Sequence, residues 1–490
     1  MSVEQTRIVI IGAGAAGLCM GVGLKRAGVD DFVILDKASD VGGAWYWNRY
    51  PGCECDVQSH LYSFSFEQKN DWTQPFAGQE EIRGYLNHVA DKYDLRRHMH
   101  FSDAVKSLDW RDEAARWQVE TEAGHRFEAN VVVSAIGMFN DIAWPSIEGI
   151  HDFAGTYFHS ARWNREHDLR GRRVGVVGLA ASAVQLIPQI APEVAQLYCY
   201  QRTANWVMPK LNTPYTEGEL ETFQRDPGLV KKSRDDLYEM WNSLCLYTDI
   251  PALTEREKEG LERISAVKDP ETRRKLTPDH PLGCKRELFS DLYYPTFNRD
   301  NVELITENIE KVSARGIRTV DGSFRELDTI IYSTGFYTTR YLETMTVTGR
   351  GGLKIEDAWS DGAQAYLGIS TAGFPNLFML YGPNTNQGSI LFMLERQCDY
   401  VIRQIKRLDD ESLAWMDVRP EVMDAFNERI QRDIDQVEVW QASCNHDSYY
   451  RAGPNRRIVT QWPLSMEDYA AATSMPGPDD FEVKRSREGV

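Results

Sequence analysis

Two short apolar runs, each opening into a glycine turn, set the frame of this chain. Ile8-Val9-Ile10-Ile11 and Val174-Gly175-Val176-Val177 contain no polar residue, the pattern of strands buried on both faces of a sheet. The first passes through a turn into a helical stretch ending near Arg26. The next apolar runs, Phe32-Val33-Ile34-Leu35 and Leu197-Tyr198-Cys199-Tyr200, end at Asp36 and at Gln201-Arg202. Elsewhere the pattern predicts helices within 60–100, short alternating strands over 101–133 and charged helices from about Thr213 to Pro281. In that charged region Leu237, Met240, Trp241 and Leu244 fall at helical spacing and are expected in the core. An amphipathic helix is expected over 419–440 and a frayed tail from Pro476, where Pro, Gly and mixed charge gather.

The turns carry chemistry. Gly12-Ala13-Gly14-Ala15-Ala16-Gly17 follows the first strand at once. Gly12 permits a tight turn, Gly14 lets backbone approach a pyrophosphate, and Gly17 lets helix and strand pack closely. The helix N-terminus adds free N–H groups and a positive dipole end. Asp36 lies 24 residues after Gly12, where a ribose ligand is expected. Gly178-Leu179-Ala180-Ala181-Ser182-Ala183 repeats the turn with alanine at the second and third glycine positions. Ala180 puts a methyl group where backbone should approach pyrophosphate, so weaker or displaced binding is expected there. Arg202 lies 24 residues after Gly178 and suits a 2′-phosphate. These features predict an α/β fold with two Rossmann-like dinucleotide-binding domains. The first suits a flavin or NAD and the second NADP, an arrangement for passing hydride from NADPH to FAD.

Composition narrows the partners. The chain has 490 residues, enough for two or three domains with cores of their own. Its net charge of −18 argues against nucleic acid and anionic membranes. Eight cysteines with no CxxC pair read as reduced thiols in a cytoplasmic protein, and no metal-ligand spacing occurs. Residues 8–24 are uncharged but contain five glycines, which suit a strand–turn–helix better than a targeting or membrane segment.

Three further stretches resemble one family. Gly43-Ala44-Trp45-Tyr46-Trp47-Asn48-Arg49-Tyr50-Pro51-Gly52, closing on Asp56, resembles the active-site motif of type I Baeyer–Villiger monooxygenases. Phe153, Gly155, His159 and Trp163 match that family's fingerprint FxGxxxHxxxW, with Asn164 where Pro or Asp is usual. Cys284-Lys285-Arg286, followed by Tyr293-Tyr294, resembles the segment that carries the family's active-site arginine.

The resemblance implies an FAD-binding domain from 1–142 and 337–490, an NADP-binding domain from 152–212 and 282–336, and a helical insertion over 213–281. It implies FAD contacts at Gly12, Gly14, Ala15, Gly17, Asp36, Lys37, Gly43, Trp45, Trp47, Asp56, Val105 and Asn384. For NADPH it implies Gly178, Ser182, Gln185, Arg202, Thr203 and Arg286. Tyr449 sits near a position where relatives place an aromatic close to the nicotinamide. The implied reaction converts a ketone and O2 to an ester or lactone through a C4a-peroxyflavin, in a monomer or homodimer. Arg286 would be the fixed cation and Asp56 its holder, while the linker Phe153–Trp163 couples the two domains. The competing expectation is a flavin monooxygenase acting on amines or sulfides. A flavin or disulfide reductase, or a non-enzymatic nucleotide-binding protein, stands further off.

Overall fold

The computed structural model describes residues 3–446, 448–474 and 477–486. In chain order the first part builds β1 (Val3–Ile11), α1 (Ala15–Arg26), β2 (Phe32–Asp36), the short α2 (Ala44–Trp47), α3 (Gln79–Lys92) and β3 (Met99–Phe101). The antiparallel run β4 (Val105–Arg111), β5 (Arg116–Thr121) and β6 (Arg126–Ser134) follows. β1 lies between β2 and β6, parallel to both. Its unbroken apolar run is explained by alternation: Ile8 and Ile10 enter one core, and Val9 and Ile11 enter the core on the opposite face.

The second sheet begins with β7 (Thr156–His159), β8 (Arg173–Val177), α4 (Ala181–Ile190) and β9 (Gln196–Tyr200). The short β10 (Val207–Met208) leads into α5 (Glu217–Arg225), α6 (Pro227–Leu244), α7 (Ile250–Ile264) and α8 (Pro270–Leu276). The chain then forms β11 (Leu288–Phe289), β12 (Val302–Ile305), the meander β13 (Ile309–Ser313), β14 (Gly316–Thr319) and β15 (Phe324–Glu326), and β16 (Thr329–Tyr332). Five strands make an all-parallel sheet in the order β12-β9-β8-β16-β7. β17 (Thr346–Thr348) and β18 (Leu377–Met379) return to the first sheet, beside β4 and β6. Both glycine turns lie at the carboxyl ends of parallel strands, where neighbours diverge in order and ligands bind in α/β folds.

The chain crosses between the sheets twice, and the crossings are bonded to each other. Ile142 bridges Phe336, Ala143 N donates to Gly335 O at 3.0 Å, and Thr334 Oγ1 donates to Ala143 O at 2.6 Å.

Four expectations are corrected. Residues 153–163 are not a free linker, because Thr156–His159 is the edge strand of the second sheet, register-paired with β16. The chain after Pro476, a residue outside those described, does not simply fray: Phe481–Arg485 pairs antiparallel with Leu413–Val418, and Phe481 is buried. Met240 is 40% exposed and leaves the core to its neighbour Trp241. The cysteines are not all reduced: Cys284 and Cys444 form a disulfide across 160 residues of sequence, while Cys19, Cys53, Cys55, Cys199, Cys245 and Cys398 are free and buried. Such a separation leaves no spacing pattern to read. Among the described residues no helix is long and apolar enough to cross a membrane.

Candidate active site

The first turn is shaped by backbone proximity. Gly12 has φ +114°, and a Cβ there would lie 2.5 Å from the Ala135 carbonyl oxygen. A Cβ on Gly17 would lie 1.9 Å from the oxygen of Gly12. Gly14 N-caps α1, beside Ala15 at its first position. A Cβ on Gly14 would meet Gly43 Cα at 3.3 Å, so the turn and the tryptophan-rich motif meet through two bare backbones. This cradle of N–H groups without side chains fits a pyrophosphate.

Asp36, at the end of β2, is buried and accepts from Ala13 N at 2.5 Å and Ala38 N at 2.7 Å. Burial raises its carboxyl above the usual range, against the pull of these two amides. Lys37 is exposed, with Nζ 3.5 Å from Asn140 O. Burial and the nearby Arg162 lower its ammonium. Trp45 Nε1 donates to Tyr62 OH at 3.0 Å, Val105 opens β4, half-buried, and buried Asn384 donates Nδ2 to the carbonyls of Ile458 and Gln461.

The second turn has the same build with fewer contacts. Gly178 has φ +91°, and a Cβ there would lie 2.8 Å from Ser333 O. Ala180 N-caps α4 with its methyl exposed, so the N-terminus stays open beside it. Arg202 is exposed just past β9, and Thr203 is half-buried. Ser182 lies beside the Tyr50 phenol. Gln185 reaches across to the first domain's loop: it accepts from Tyr50 OH at 2.9 Å and donates to Glu54 O at 3.0 Å and Asp56 Oδ1 at 3.3 Å. Its amide thereby joins the two nucleotide folds.

Arg286 and Asp56, 230 residues apart, come together. Arg286 Nη2 donates to Asp56 Oδ2 at 2.9 Å. The arginine side chain stands near Tyr381, Tyr449 and Tyr450 and is 41% exposed; the Asp56 side chain is only 10% exposed. Burial alone would lower the guanidinium pKa, but Asp56 and the tyrosines override it and hold the group more firmly protonated than usual. The loop is anchored on both sides of Arg286. Cys284 is tied to Cys444, Asn445 Nδ2 donates to Cys284 O at 2.7 Å, and Glu287 pairs with Arg256 of α7. Beyond it, β11 pairs in parallel with β10.

The fingerprint stretch touches both folds without entering this cluster. A Cβ on Gly155 would lie 2.6 Å from the Phe153 ring and 2.7 Å from Asp328 O, which explains the glycine. His159 is buried; its Nδ1 accepts from Ala161 N, and its Nε2 has no hydrogen-bond partner among the described residues. Its ring packs edge-on to Trp144 of one crossing and Phe336 of the other. Burial, with Arg162 nearby, lowers His159 to about 4, so it is neutral at pH 7. Arg162 stacks over Trp47 at 4.0 Å. Trp163 stands edge-on to Phe158 and lines a cavity of about 690 Å³ with Arg49, Gln79 and Arg165. Asn164 is exposed and accepts from Glu166 N, making a local turn.

Sequence reasoning passed over Lys210. It is buried between Glu54 and Asp56, with Nζ 2.8 Å and 3.2 Å from their oxygens. A lysine after a short apolar strand carries no local signal of that role, because its partners lie more than 150 residues upstream.

A family profile described as pyridine nucleotide-disulphide oxidoreductase matches residues 9–236. A Baeyer-Villiger monooxygenase of Pseudomonas aeruginosa is 41% identical over 94% of this chain and 88% of its own length. An FAD-binding monooxygenase of Aspergillus niger is 36% identical over 98% of this chain and 82% of its own. Among solved structures, the closed crystal structure of cyclohexanone monooxygenase superposes with a TM-score of 0.90 at 30% identity, covering 99% of this chain and all of that one. Cyclohexanone monooxygenase from Rhodococcus sp. Phi1, bound to NADP+, gives 0.90 at 29% identity with the same coverage.

Proposed function

The chain belongs to the Baeyer–Villiger monooxygenase family, and from that premise we propose that it inserts one oxygen atom beside a ketone carbonyl to give an ester or lactone. It is an FAD-dependent NADPH monooxygenase. The observation that carries the proposed reaction is Arg286, a partly exposed cation held by Asp56. The paired glycine turns support the cofactor assignment: Gly12–Gly17 with buried Asp36 for FAD, and Gly178 with exposed Arg202 for NADPH.

When bound and reduced, the flavin activates dioxygen and supplies the oxygen that adds to the carbonyl. The chain's residues stabilise negative charge and exclude water. Arg286 stays protonated throughout, since an arginine loses its proton only far above neutral pH. It therefore offers a preorganised donor to negative charge on oxygen, a contribution worth roughly 10²–10³ in rate for one such donor. Asp56 is its positioning residue, accepting from Arg286 Nη2 at 2.9 Å. Tyr381, Tyr449 and Tyr450 stand near the guanidinium and, with Asp56, favour its charged form. His159 moves no proton in this scheme. It is neutral, buried and packed on the two crossings, where it transmits the position of one nucleotide fold to the other.

A panel of ketones and sulfides with NADPH, scoring ester, sulfoxide and hydrogen peroxide together, tests the reading. Ester formation from at least one ketone class, matched to NADPH consumed, is expected. Sulfoxide formation with no ester from any ketone would assign the chain to soft-nucleophile oxygenation instead.

A further inference from the structure

The Asp56–Arg286 pair does not stand alone. Asp56 uses one carboxylate oxygen for Arg286 and the other for Lys210, whose Nζ lies 3.2 Å from Oδ1. Lys210 also lies 2.8 Å from Glu54 Oε1. Four charges therefore alternate in a row: Glu54, Lys210, Asp56, Arg286. Lys210 is the enclosed member, its side chain only 2% exposed, against 25% for Glu54 and 41% for Arg286. Its backbone is pinned as well, since Lys210 N and Leu211 N both donate to Asp291. Glu54 is held at its far oxygen by Asn212 Nδ2 at 2.9 Å.

A buried lysine with two carboxylate partners is costly to desolvate and is stable only while both partners stay charged. Its removal would leave Glu54 and Asp56, two residues apart, sharing Arg286 as their nearest cation. Asp56 would then lose the cation at Oδ1 and could turn, which loosens its hold on the guanidinium. The other titratable groups facing Asp56 are Tyr50, Cys53 and Cys55. Burial pushes all three upward, the two thiols to about 12, so none supplies charge near neutrality.

We propose that Lys210 is a positioning residue for oxygen transfer: by holding Asp56 through Oδ1 while Arg286 takes Oδ2, it fixes the arginine's direction. This rests on the oxygenation reading above, with Lys210 acting through Asp56 and touching neither substrate nor cofactor.

The test compares Lys210→Met, Asp56→Asn and the double variant as holoenzymes. In Lys210→Met, flavin reduction by NADPH should stay within about two-fold of wild type. Product formed per NADPH should fall about 10-fold, with hydrogen peroxide making up the difference. In the Asp56→Asn background Lys210→Met should add less than a two-fold loss. Crystal structures of the oxidised holoproteins give a readout free of turnover: the Asp56–Arg286 contact should be displaced in Lys210→Met and kept in Glu54→Gln. Glu54→Gln alone, which leaves Lys210 paired with Asp56, should keep most of the coupling; it tests the clamp if Lys210→Met does not fold. An equal loss from Lys210→Met with and without Asp56, an undisplaced Asp56–Arg286 contact in Lys210→Met, or uncoupling in Glu54→Gln as severe as in Asp56→Asn would overturn the proposal. The structural result stands even if the product proves to be a sulfoxide, so a wrong substrate class and a wrong role for Lys210 are told apart.

Discussion

The two nucleotide turns share strand, turn, helix and the same interval to a terminal charged residue, yet they are built to different tolerances. In the first, Gly12, Gly14 and Gly17 stand where a Cβ would strike backbone, and Asp36 is buried and spent on two amides. In the second, Ala180 and Arg202 are exposed, and Gln185 is turned toward the neighbouring fold. The first has the form of a closed socket. The second has that of an open shelf.

The largest effect should come from closing the socket further. Gly17→Ala places a methyl 1.9 Å from the Gly12 oxygen. Overpacking against backbone should cost about 3 kcal/mol or more and yield protein without bound FAD, read by flavin absorbance after purification. Next is His159 of the edge strand β7. His159 is depressed to about 4 from 6.5, so its contribution is fully present above pH 6.5 and is lost as pH falls toward 4. That loss amounts to about 3 kcal/mol. His159→Asn keeps an acceptor for Ala161 N–H but cannot take a proton, so denaturant melts between pH 6.5 and 4 should show a shallower loss. Some slope will remain, because His60 is also buried and lowered to about 4. Arg202→Ala should raise KM for NADPH about 10- to 100-fold, the value of a charge-assisted contact, with FAD content unchanged. The smallest effect is expected of Ala180→Gly: a two- to five-fold lower KM for NADPH if the methyl obstructs approach. No change would mean that its outward direction already clears the anion.

Local features of this molecule were legible in the sequence, and long-range ones only through resemblance. Ile8–Ile11, Gly12 and Asp36 act within one strand–turn–helix–strand unit, so spacing alone exposes their roles. Asp56 and Arg286 meet only because the chain crosses between sheets and returns, and nothing in either local stretch points to the other. Lys210 and the Cys284–Cys444 bond stayed hidden for the same reason: their partners are supplied by tertiary structure. The tail failed differently. Its polar composition suggested fraying, but Phe481 finds a buried place and the strand an edge at Leu413–Val418. Residues 153–163 looked like a linker because no apolar run marks them, yet as an edge strand Thr156–His159 needs only one neighbour.

The most direct test of the central claim is the product balance of Arg286→Ala, measured as ester, hydrogen peroxide and NADPH consumed in the same reaction. Flavin reduction should survive while ester formation falls by about 10²–10³ and NADPH use is diverted to hydrogen peroxide. Ester formed at wild-type rate and yield in Arg286→Ala would contradict the assignment of this arginine as the cation on which oxygen transfer depends.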